Sequence, residues 1–307
     1  MDKEQLATVF SLLNREPVVW QYTRDKYALD HLQRLAQRGP QKVADLKKGR
    51  MAGFLQKDPV KAVLAQIPNG VLEVDNLYLR EWQEPLSFVR TLSKWGSEHR
   101  KDQRWRQISR PGYNLVIQLN LSRKMEYQYQ QRMGADEKLP LWAGHPVSKR
   151  YPTLGWARID FDLEGHSVLI EELQTDLVRG LEYRKKAFRR SKDQARQAAH
   201  RNLSAFLKHD FAPYGRLWQE SLLAHTLEFI DRELGYRQVF MHTSQWGGTL
   251  KRIQHDQPPR SVYESLPRKF GFQKTEESPD CILNDGGFRR GKERRLVDQA
   301  EFWKLSW

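Results

Sequence analysis

An α+β architecture is what this 307-residue chain predicts: a mixed central sheet with flanking helices and a helical N-terminal region. Three observations carry it. Segments 112–121 and 156–162 alternate with the period of strands, and 167–173 is a further extended segment close enough to 156–162 to form an antiparallel unit. Residues 217–234 carry a helical apolar stripe and run into another strand pattern at 236–244, the step that joins parallel strands. Residues 1–66 read as short helices, with Leu6, Val9, Phe10 and Leu13, then Tyr27, Leu29, Leu32 and Leu35, at helical spacing.

Composition narrows the function classes. Hydrophobic residues make up 39% and charged residues 29%, a globular balance. The single cysteine, Cys281, excludes an intrachain disulfide and a cysteine-rich metal site, so a reducing cytoplasmic setting is expected. No apolar run approaches the roughly 20 residues that cross a bilayer, and no signal-like segment opens the chain. The formal charge of +14 attracts nucleic acid or an acidic protein surface. Ten tryptophans exceed what such a core needs, which points to a Trp-rich groove or protein interface.

In chain order, Gly39-Pro40 and Pro68-Asn69-Gly70 stop the early helices. Residues 71–92 show mixed short extended pieces. HRKDQRWRQISR (99–110) embeds Trp105 among positive residues, Arg104 and Arg106 included, a pattern of a backbone-and-base contact surface or of a solvated linker. SRKMEYQYQQRM continues the strand before it or turns helical. The Gly- and Pro-rich segment 134–155 has the length of a functional loop or lid. The basic helical stretch 177–212 carries Arg184, Lys185, Arg189 and Arg190, suited to phosphate backbones or simply to solubility. YESLPRKFGF (263–272) is a short helix ended by Gly271. Residues 278–295 are a basic excursion, and FWKLSW closes the sheet. The expected division is a helical N-terminal region or cap at 1–95 and an α/β domain at 96–307, with 177–212 as an insertion.

Trp156–Asp176, WARIDFDLEGHSVLIEELQTD, is the stretch on which chemistry converges. Period two places Glu172, Gln174 and Asp176 on one face and Leu173 and Thr175 on the other. Polar groups at a strand exit are where binding and catalysis gather, although a plain sheet surface has the same pattern.

The order strand, helix, strand, short helix and final hairpin resembles the C-terminal half of the GNAT-type N-acyltransferase fold. The detailed likeness lies in YESLPRKFGF, where such enzymes carry a tyrosine beside the cofactor. LIEELQTD is also similar to the "EEIQSD" segment of domains in phage and mobile-element polyproteins, over roughly residues 156–275. The acyltransferase resemblance implies acyl-CoA as cofactor and transfer to an amine on a protein or a nucleic-acid-linked substrate. It implies Glu172 as general base, Asp176 as a second carboxylate, Tyr263 as the acid toward the thiolate, and His242 as a base or a structural group. Gln174, Arg179 and Gly180 would serve the cofactor. Where that family has a glycine-rich pyrophosphate loop, this chain reads TDLVRGLEYR, leaving only Arg179 and Gly180. The competing expectation is a catalytically silent fold of this kind acting as a basic nucleic-acid-binding or assembly protein. No P-loop, Rossmann fingerprint, HExxH or GxSxG motif occurs, and no metal cluster is expected.

Overall fold

The computed structural model describes residues 1–49, 51–77, 84–251, 259–285 and 300–307, the side chains at 103 and 104 excepted. Within them the strands are β1 (Val18–Tyr22), β2 (Gln41–Lys42), β3 (Val71–Leu72), β4 (Leu86–Ser97), β5 (Gly112–Asn120), β6 (Thr153–Phe161), β7 (Ser167–Gln174), β8 (Gln238–His242), β9 (Gln273–Thr275) and β10 (Phe302–Ser306). Eight of them form one sheet in the order β1-β4-β5-β6-β7-β8-β10-β9, and β2 pairs with β3 apart from it. The fold is α+β with a mixed sheet flanked by helices. The β7–β8 pair is parallel; the other described neighbours are antiparallel.

The N-terminal region is only partly helical. VVWQY, read as helix-rich leader, is strand β1, and the mixed segment 71–92 leads into the 12-residue β4. Position 95, where the sequence reading divides the chain, lies inside β4, so residues 1–95 share a sheet with the rest. SRKMEYQYQQRM turns helical as Arg123–Met133. The stretch 177–212 becomes two helices, Leu177–Arg189 and Gln194–Phe206, and one π turn before the long helix Ala212–Arg232.

That long helix covers one face of the sheet. Its Leu222, Leu223 and Leu227 share a core with Ala157, Ile159 and Phe161 of β6 and Val168, Ile170 and Leu173 of β7. Fully burying such side chains supplies the main drive, at about 1.5–3 kcal/mol each. Gly155 admits the helix: a Cβ there would lie 2.9 Å from the Gln174 carbonyl oxygen and 3.3 Å from Leu222.

Two buried polar residues on the helix tie it to the first strand. The Glu220 carboxylate accepts from the Tyr22 hydroxyl at 2.8 Å, the Asp25 N–H at 2.6 Å and the Lys269 ammonium at 2.5 Å. Glu220→Ala leaves those donors without an acceptor and is expected to lower stability by roughly 3 kcal/mol, read from chemical denaturation. His225 lies with both ring nitrogens unpartnered among the described residues, its ring 4.5 Å from that of Trp20. Burial, reinforced by the Arg90 charge, lowers its pKa from 6.5 to about 3. Folding then keeps it neutral while the unfolded chain takes up a proton. Stability is complete above pH 6.5 and falls as pH drops toward 3. His225→Leu should flatten that acid limb, compared by urea midpoints at pH 7 and pH 5.

Candidate functional site

The sheet face away from the long helix carries the polar groups. Residues Trp156, Arg158 and Asp160 of β6 lie on it, opposite Gln174, Glu172 and Leu169 of β7. A bulge breaks the alternation: Arg158 pairs with Glu172 and Ile159 with Ile170, so Glu171 is the extra residue. Both glutamates therefore serve this face. Glu172 holds Arg158, while Glu171 reaches Ser109, His242 and Lys251.

The parallel pairing of β7 with β8 runs from Ser167–Gln238 to Ile170–Met241 and stops there. Beyond it the open edge of β7 is sealed by side chains. Lys251 donates its ammonium to the Glu171 carbonyl at 2.5 Å, and the Leu173 N–H donates to the Tyr263 hydroxyl at 3.3 Å. Tyr263 is itself fixed by the Trp303 indole N–H on its carbonyl at 2.7 Å. Burial, with the Glu172 charge behind it, pushes the Tyr263 phenol well above its usual range.

Deeper on the same face, the Glu171 carboxylate accepts from the Ser109 N–H at 3.0 Å and its hydroxyl at 2.9 Å. His242 Nε2 stands 2.9 Å from the same hydroxyl and 3.2 Å from Glu171 Oε2. Burial works to raise the Glu171 pKa, but the His242 hydrogen bond and the Lys251 charge outweigh it and hold the group well below the carboxylate range. Burial lowers His242, leaving a neutral imidazole. A serine nucleophile needs its orienting carboxylate on the second imidazole nitrogen. Here Glu171 meets the same nitrogen as the serine, and among the described residues Nδ1 has no partner. The cluster is a buried ion-pair and hydrogen-bond network that lacks the geometry of a relay.

In front of it lies a groove of about 520 Å³, floored by Trp156, Arg158, Glu172 and Gln174. Arg158 pins the overlying loop by donating to the carbonyls of Arg106 and Gln107 at 2.9 and 2.8 Å. Trp105 on that loop is 81% exposed, and Trp142 on the opposing 134–152 segment is 66% exposed. Both line the groove, with Trp95 and His145. Trp142, His145 and Trp156 pack ring to ring at 4.5 and 5.3 Å. Asp176 anchors this wall, accepting from the Trp142 N–H at 3.4 Å and contacting His145 Nδ1 at 2.9 Å.

Of the residues singled out from sequence, Glu172 and Gln174 thus line the groove and Asp176 backs its wall. His242 and Tyr263 are buried. Arg179 is exposed on the first turn of the helix Leu177–Arg189. Gly180 has a packing role: a Cβ there would stand 2.7 Å from Pro140, so the 134–152 segment packs closely on the start of this helix. Arg184 is likewise structural, donating to the Tyr129 hydroxyl at 2.6 Å and the Lys138 carbonyl at 2.8 Å. Arg106 is exposed over the Trp95 ring; Lys185 is half-buried, and Arg189 and Arg190 are exposed. The Arg104 side chain and residues 289–295 lie outside the described residues. Trp142, His145, Glu171, Ser109 and Lys251 were not singled out; WAGHP, an aromatic pair within a Gly/Pro loop, was the available signal for the first two.

No family model matches this chain, nor does any curated protein or solved structure. Among the described residues no helix is long and apolar enough to cross a membrane.

Gly180→Ala decides whether the loop contact dominates helix propensity. Overpacking against Pro140 costs about 1–3 kcal/mol, against a gain of about 1 kcal/mol for alanine in a helix. Net destabilisation is expected, with Trp142 fluorescence shifting as its wall is displaced.

Proposed function

We propose that this protein binds single-stranded nucleic acid, with bases entering the Trp-lined groove and the phosphate backbone following the basic helices beside it. The observation that carries the reading is the pairing of two largely exposed indoles, Trp105 and Trp142, on one groove beneath which the polar floor is already ordered. Exposed indoles are costly to keep in water and stack on any base. The helix that starts at the groove wall continues the pattern. Arg179, Tyr183, Lys186 and Arg190 recur at spacings of four, three and four, all exposed, with Tyr183 at 75%. Residues 177–208 hold ten Lys or Arg against two acids. Among the described residues, Arg179, Lys186, Arg189, Arg190, Lys192, Arg196, Arg201 and Lys208 make no ion pair. An acidic protein surface would answer that charge but would leave the indoles without planar partners.

A second reading, acyl transfer, is favoured by one observation: β7 and β8 part beside a bulge, with Tyr263 at the parted edge. Acyl-CoA would have to displace Lys251 and Tyr263 from that edge and the 134–152 segment from the helix start, which ranks this reading second.

Fluorescence anisotropy with labelled single-stranded RNA and DNA tests the first reading. Binding should weaken steeply with salt, and Arg189→Gln with Arg190→Gln should reduce the slope of log K against log salt by about 0.7 each. Trp105→Ala and Trp142→Ala should each weaken binding roughly tenfold, since one base stack is worth about 1–3 kcal/mol. No binding at low salt, combined with acyl-CoA affinity that Arg179→Ala abolishes, would reverse the ranking.

A further inference from the structure

The open hydrogen-bonding groups on the groove floor have a definite polarity. Glu172 Oε2 accepts from Arg158 Nε at 2.8 Å, and among the described residues its Oε1 accepts nothing. The Gln174 amide makes no side-chain hydrogen bond among them either. Asp102, also lining the groove, gives one oxygen to the Ser97 hydroxyl at 2.8 Å, and its other oxygen accepts nothing among the described residues. Glu172 and Gln174 are two apart on one strand face, so their side chains rise from the floor roughly 7 Å apart at the backbone and their flexible tips can converge on one ligand edge. The floor therefore offers carboxylate acceptors with one amide beside them, under aromatic walls. A positively charged ligand would match the carboxylates, but the Arg106 and Arg158 guanidiniums already stand 5.2 and 5.9 Å over the Trp95 ring and repel it.

Each base meets that floor differently. Guanine presents two adjacent donors, N1–H and the N2 amine, followed by the O6 acceptor. A carboxylate takes the two donors, and the Gln174 NH₂ reaches O6. Adenine and cytosine place a ring-nitrogen lone pair where guanine has N1–H, directly against the Glu172 charge. Uracil has one donor flanked by two carbonyl oxygens that the same charge repels. Resting on the nucleic-acid reading of the groove, we infer that it selects an unstacked guanine, with Glu172 and Gln174 reading its Watson–Crick edge and Trp105 and Trp142 supplying stacking planes.

The choice is testable on the unaltered chain. Five labelled ten-nucleotide oligouridylate strands are compared, differing at one central residue: uridine, guanosine, inosine, adenosine or cytidine. The guanosine strand should bind roughly tenfold tighter than the adenosine and cytidine strands, the discrimination of a bidentate base contact. Inosine keeps N1–H and lacks the N2 amine, so its strand should fall between. Glu172→Gln, confirmed as folded by circular dichroism, should bring the guanosine-to-adenosine ratio toward one, because an amide can turn a donor toward either base. Equal affinity for all five strands overturns guanine selection while leaving nucleic-acid binding in place. Absence of binding by every strand at low salt overturns both.

Discussion

A carboxylate buried where two parallel strands part is the constraint the rest of this face obeys. Glu171 occupies the bulge and is fully enclosed, a position that costs several kcal/mol for an ion unless its lone pairs are met. They are met from three parts of the chain: the Ser109 N–H and hydroxyl, His242 at the end of β8, and Lys251 after the helix Ser244–Leu250. The Lys251 ammonium does double work, since it also takes the Glu171 carbonyl that would otherwise face an absent strand. Removing any one partner would strand a charge in the interior, so the arrangement holds as a unit.

The loop before Ser109 inherits its shape from that network. Gln107 adopts φ +52, a left-handed conformation that costs a non-glycine residue about 1–2 kcal/mol. The neighbouring anchors offset it: Arg158 holds the carbonyls of Arg106 and Gln107, and Glu171 holds the Ser109 N–H two residues on. Trp95 adds its indole N–H to the Arg106 carbonyl at 2.7 Å. A loop fixed at so many points can present Trp105 to solvent without collapsing it onto the sheet. The position of the backbone that carries the exposed indole is thus a consequence of buried electrostatics.

How much of this was legible in the sequence follows from period and from polarity. The strands 112–121 and 156–162 are readable from the alternation along them, 167–173 from its short apolar run, and period two at its exit places Glu172 and Gln174 together. The bulge was not readable. Strict alternation sends Glu171 to the helix-covered face, and one inserted residue brings it back beside Glu172. Strand β4 escaped because its inward position 90 is an arginine, buried against the Phe229 ring and paired with Glu233, where the pattern calls for an apolar side chain. Strand β1 is five residues of apolar and aromatic character, too short for period to separate strand from helix. Trp142 and His145 come from a loop, and only the fold brings WAGHP against Trp156 and Asp176.

The same geometry weighs on the two functional readings in opposite directions. An acyltransferase of the resembling type needs the parted strand edge open and the following helix start bare, because the cofactor uses backbone groups at both. Here the edge donates and accepts to Tyr263 and Lys251, and the helix start is closed by Pro140 against Gly180 and by Trp142 on Asp176. Those closures are also what builds the groove. Pro140 and Asp176 hold the segment that carries Trp142, while Arg158 and Glu171 hold the loop that carries Trp105. These contacts thus close the parted strand edge and the helix start and raise two aromatic walls in front of them. The backbone groups of the parted edge are occupied within the chain, the exposed indoles stand in front of them, and exposed positive charge lies along the helix that leaves the groove.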